Sequence, residues 1–100
     1  MKIEVTENEN ALQIAMDGRL DSVTSDDLTK VLEEKLNDGT ASLTLNLKNV
    51  DFISSKGLRV LVAAYRKLNG KELILTGANS SVKEILRLSG LLNIFKLVEE

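Results

Sequence analysis

Val50-Asp51-Phe52-Ile53-Ser54-Ser55-Lys56-Gly57-Leu58-Arg59 decides how this chain is read. An alternating run, Leu43-Thr44-Leu45-Asn46-Leu47, leads into it, and a helical pattern begins inside it. Leu58, Leu61, Val62, Tyr65 and Leu68 recur at helical spacing and predict the second helix, which Asn69-Gly70 ends. Two adjacent hydroxyls, a lysine and a glycine therefore stand at a strand-to-helix junction. Such a junction is either a serine N-cap or a place where amide donors and the helix dipole favour an anion. Lys56 in the first turn opposes the dipole and suits a phosphate or a partner's carboxylate. A phosphate on a serine here would put about −1.5 to −2 of charge where a neutral hydroxyl had been.

Working toward the N-terminus, Leu43, Leu45 and Leu47 predict a strand whose other face, Ser42, Thr44 and Asn46, is at best half buried. Residues 2–6 and 12–16 alternate around the polar break Glu7-Asn8-Glu9-Asn10 and predict an antiparallel hairpin. Asp17-Gly18 reads as turn chemistry that ends its second strand. The first helix is expected over 24–37. Thr24 is its N-cap, acids fill its first turn, Val23 and Leu28 form a hydrophobic staple, and Asn37-Asp38-Gly39 stops it.

Toward the C-terminus, Leu73-Ile74-Leu75 reads as a strand buried on both faces. Ser81-Val82-Lys83-Glu84 reads as a capping box opening a third helix through Ser89, with Gly90 and Leu91 just past its end. Ile94, Phe95, Leu97 and Val98 form a last strand or extended edge. Strands and helices alternate strictly from residue 43, so the later strands are expected to be parallel. The fold class is α/β: one mixed sheet of about five strands with three to four helices, forming a single domain over residues 1–100.

Composition removes several functions. The chain lacks histidine and cysteine, which takes away the commonest general base, thiolate chemistry and the usual metal ligands. Ser55-Lys56 is not a dyad, because neighbours at a helix start point apart, and no phosphate-loop spacing precedes Gly57. No enzyme, cofactor or metal is expected. A net charge of −2 and three aromatics argue against a nucleic-acid partner. The apolar runs are too short to span a membrane, and the charged, alternating N-terminus is not a signal peptide, so a cytoplasmic location is expected. Lys56, Arg59, Ala63 and Arg66 fall at i, i+3, i+7 and i+10, a basic stripe beginning at the serines. On its own it reads as a solvated face; beside the serines it becomes a docking face for an acidic partner.

Three blocks resemble the STAS domain family, and most closely its free-standing bacterial anti-sigma factor antagonists. They are Gly18-Arg19-Leu20-Asp21 before a helix, Leu45-Asn46-Leu47 through Val50 to Leu58, and Val82 to Leu86 with Ser89-Gly90-Leu91. The resemblance implies a STAS-like fold and a partner that is an anti-sigma factor, often a serine kinase. Binding it frees a sigma factor; phosphorylation breaks the complex and a serine phosphatase resets it. The resemblance implies Ser55 as phospho-acceptor, with a surface of Asp21, Ser22, Thr24, Ser54, Ser55, Lys56, Gly57 and Arg59. Ser54 stands where the family usually has Asp, and Lys56 where it usually has a small residue. Alternative roles in the family are a subunit of a transporter-associated or stress-signalling assembly, and nucleotide binding.

Overall fold

The computed structural model describes residues 2–99, leaving Met1 and Glu100 outside the description. The elements are β1 (Lys2–Asn8), β2 (Ala11–Leu20), α1 (Thr24–Lys35), β3 (Ser42–Ile53), α2 (Ser55–Leu68), β4 (Glu72–Thr76), α3 (Ser80–Leu88) and β5 (Lys96–Val98). The five strands form one sheet in chain order, β1-β2-β3-β4-β5. β1 and β2 are antiparallel, and each later neighbouring pair is parallel. The expected mixed α/β sheet is therefore present. Among the described residues no helix is long and apolar enough to cross a membrane.

The strands' period of two decides which face is covered. Leu12, Ile14, Met16, Leu43, Leu45, Leu47, Leu73 and Leu75 are buried on one face. Against them pack Leu28 and Leu32 of α1 with Leu36 at its C-cap, Leu61, Ala64 and Leu68 of α2, and Val82 and Leu86 of α3. The opposite face is wetter: Glu4, Thr6, Gln13, Ala15, Thr44 and Asn46 line an open polar hollow on it. Ile74 lies on that side and is only partly covered, so β4 is not buried on both faces as its unbroken apolar run suggests. On α2 Ala64 is buried beside Leu61 and Leu68, whereas Tyr65 is 38% exposed and meets Phe95 edge-on at 6.0 Å.

Other boundaries moved for identifiable reasons. Asp17-Gly18 does not end β2. The strand continues to Leu20 through register shifts between Ala15 and Asp17 and between Gly18 and Arg19. Gly18 has φ +107°, and the Asn49 amide donates to Asp17 Oδ1 at 3.1 Å across the irregularity. β3 likewise runs on from Leu47 to Ile53, so the first half of the deciding stretch is strand. α3 is capped by Asn79, whose Oδ1 accepts from the Val82 N–H at 2.8 Å, and not by Ser81. The Asn79 amide also donates to the Val50 carbonyl at 3.3 Å, which lies beyond the last β3–β4 pair, Asn46 and Thr76. Asparagine carries its donor and its acceptor on separate atoms, so one side chain serves both the Val82 amide and the Val50 carbonyl. The α3 exit follows its sequence pattern: Gly90 donates to Arg87, and Leu91 to Leu86, with Gly90 at φ +73°.

α2 sits down on the sheet at Gly57. A Cβ there would lie 3.0 Å from Ile53 Cγ2 and from Leu20 Cγ and Cδ2. Leu20 and Ile53 are themselves buried, so making room would displace core side chains. Gly57→Ala is therefore expected to cost stability, by about 1–3 kcal/mol from overpacking. Set against the roughly 1 kcal/mol that alanine gains over glycine in a helix, the net loss is up to about 2 kcal/mol. Urea unfolding of the two proteins measures the difference.

Candidate functional site

Two turns meet at the carboxyl ends of β2 and β3. Leu20 pairs with Ile53, and the Ser54 N–H then donates to the Leu20 carbonyl at 2.8 Å. The β2–α1 turn and the start of α2 are thereby held side by side. This is where open parallel sheets present binding groups. Of the expected site residues, Asp21, Ser22 and Thr24 come from the first turn, and Ser54 to Gly57 with Arg59 from the second.

The first turn is an organised knot of hydrogen bonds. The Val23 and Thr24 N–H groups donate to Asp21 Oδ1 at 3.0 and 2.9 Å. The Asp21 N–H donates back to the Thr24 hydroxyl at 2.9 Å, and that hydroxyl donates to the Arg19 carbonyl at 2.6 Å. The buried Ser25 hydroxyl donates to the Asp21 carbonyl. Thr24 is therefore not the N-cap. A carboxylate two and three residues upstream satisfies the orphan amides, as Asp does in a local side-chain turn, and Thr24 braces the loop instead. The staple is also absent: Leu28 is buried, but Val23 is 71% exposed. The Thr24 amide chiefly, helped by the Val23 amide and by Arg19, holds the Asp21 carboxyl below its usual range.

In the second turn the serines divide the work. Ser54 is the N-cap, with Oγ accepting from the Gly57 N–H at 3.1 Å. Ser55 is the first helical residue and is exposed. Lys56 turns toward α1 and pairs with Asp26 at 2.8 Å, so its charge in the first turn is met by an acid of the neighbouring helix. Arg59 is exposed one turn further on. The basic stripe divides around the helix, since Lys56 and Arg66 lie about 80° apart at 3.6 residues per turn. Lys56 borders a groove against α1, Arg66 borders a hollow with Ser89 and Leu91, and Arg59 and Ala63 line both.

One feature of the site has no strong sequence signal. The Arg19 guanidinium lies over the Phe52 ring, 4.5 Å from its centroid. Only the register, which pairs Arg19 with Phe52, brings them together.

The STAS domain model matches residues 2–100. The chain belongs to the STAS domain family. It is 30% identical over 101 residues to an anti-sigma-B factor antagonist of Staphylococcus aureus, covering 99% of this chain and 94% of that one. The anti-sigma factor antagonist SpoIIAA in its unphosphorylated form superposes with a TM-score of 0.85 at 16% identity, covering 99% of this chain and 88% of SpoIIAA. The phosphorylated form of the Bacillus cell fate determinant SpoIIAA gives 0.78 at 16% identity, over 99% and 91%. These structures share the STAS fold.

The cap and the knot give two expectations. Ser54→Ala removes the α2 cap and is expected to cost about 1 kcal/mol in urea unfolding. Asp21→Asn is expected to lower the melting temperature at neutral pH. Because the folded-state Asp21 value is depressed, its contribution is fully present above its ordinary value of 3.8 and is lost as pH falls through the folded value. Melts of both proteins across pH should therefore diverge at neutrality and converge in acid.

Proposed function

We propose that this chain is an anti-sigma factor antagonist, a binding protein and not an enzyme. It binds an anti-sigma factor that is also a serine kinase and thereby frees a sigma factor. Phosphorylation of Ser55 ends the interaction, and a serine phosphatase restores it. The protein acts in the cytoplasm as a single STAS domain over residues 1–100. The partner surface consists of Asp21, Ser22 and Thr24 from one turn and Ser54, Ser55, Lys56, Gly57 and Arg59 from the other.

One observation carries the switch: the cap bond is made by Ser54, and Ser55 stands exposed beside it. A kinase can therefore take Ser55 without uncapping α2. A phosphate there adds about −1.5 to −2 of charge to the partner surface. Arg59, four residues on along the same side of the helix, is within the range at which helical side chains pair. The new charge stays on the surface, so the switch acts on the interface and leaves the fold alone. The relative's name and the likeness to SpoIIAA support the antagonist role. The phosphorylated SpoIIAA structure supports a phosphate being compatible with this fold.

Incubation with the purified anti-sigma factor kinase and ATP, followed by intact mass and peptide mapping, tests the proposal. One phosphate is expected on Ser55 and none on Ser54, and Ser55→Ala should take up no phosphate. Ser55→Asp should weaken partner binding at least about tenfold, equivalent to 1.4 kcal/mol. An unmodified Ser55, or a Ser55→Asp protein that binds like the wild type, would overturn the switch.

A further inference from the structure

We infer that the groove between α1 and α2 receives an acidic amphipathic helix of the anti-sigma factor. This rests on the antagonist reading above and extends the contact surface away from the serines. The groove has a volume of about 240 Å³. Its floor is apolar and largely buried, formed by Leu32 of α1, by Leu36 just past its end and by Ala64, with the more open Val60 and Ala63 on the α2 side. Lys56, Arg59 and Lys67 stand on its α2 rim, and Glu33 on its α1 rim. Lys56 is partly neutralised by Asp26, so Arg59 and Lys67 carry the positive field.

Length and charge placement select the occupant. Arg59 and Lys67 are separated by roughly 12 Å along α2 at the usual helical rise, about two turns of a partner helix. Cations therefore stand at both ends of an apolar channel. A single-headed amphiphile would satisfy one end and leave Lys67 facing its hydrocarbon tail. A helix with an apolar stripe and carboxylates at either end satisfies both, and grooves between helices commonly receive such a stripe. The small side chains Ala63 and Ala64 lower the α2 wall and leave room for a helix to approach.

Opposite charge changes on the two rims test this, because a merely structural role would not move binding in opposite directions. Affinity for the purified anti-sigma factor is measured by calorimetry for wild type, Lys67→Glu, Glu33→Lys and Ser55→Asp. Lys67 and Glu33 are exposed, and matched melting curves confirm that the variants stay folded. Lys67→Glu is expected to weaken binding about tenfold, and Glu33→Lys to strengthen it several-fold, with both differences shrinking in high salt. If the wild type binds and Ser55→Asp does not, while both rim variants bind like the wild type, the groove is not used and the antagonist reading stands. If the wild type does not bind the anti-sigma factor at all, the antagonist reading itself falls. Saturable binding of dodecanoate that Lys67→Glu abolishes, with anti-sigma factor affinity unchanged, would assign the groove to an amphiphile and overturn the inference.

Discussion

Everything at the working end of this domain depends on how closely α2 sits on the pair Leu20 and Ile53. A Cβ at Gly57 would crowd both side chains at 3.0 Å, and the Ser54 amide is tied to the Leu20 carbonyl at 2.8 Å. Together these contacts fix the height and angle at which α2 leaves the sheet. They also fix which serine turns inward to cap and which turns out. Because Leu20 begins the β2–α1 turn as well, the same contact sets the Asp21 knot beside the serines. The juxtaposition of two turns from distant parts of the chain, the proposed docking surface, is thus reduced to one packing decision.

Much of this was legible in the chain, and the misses share a cause. Period-two and period-3.6 patterns locate the strands and helices because burial imposes them on every element. The Gly90-Leu91 exit was equally legible, since its signal is local. What the sequence obscured was competition between neighbouring polar groups. Thr24 and Ser81 each look like good caps, but Asp21 and Asn79 stand just upstream and reach the orphan amides. Val23 looks like a staple only while Thr24 is taken as the cap. The extensions of β2 and β3 were hidden by bulges that break the alternation on which a strand is recognised.

At the site itself, the resemblance placed both turns together, and the pairing of Leu20 with Ile53 gives the physical reason. The separate duties of Ser54 and Ser55 could not be read from two adjacent hydroxyls, each of which is chemically able to cap. Lys56 looked like an unsatisfied charge because its partner, Asp26, lies on another helix. Exposed pairs of this kind contribute little to stability, so the pairing matters more for where Lys56 points than for how firmly the helices are joined. Arg19 and Phe52 were invisible as a pair for the same reason: their contact exists only across strands.

The sheet's order has a consequence for how the protein is made. Since β1 to β5 lie side by side in the order of translation, each strand emerging from the ribosome meets a neighbour already synthesised. No strand must wait for a distant segment before it can pair, and each parallel addition needs only the helix that has just preceded it. The loop-closing searches stay short, and few unpaired edges persist during synthesis to recruit other nascent chains. The β2–α1 turn and the start of α2 are joined once α2 follows β3 out, before β4, α3 and β5 exist.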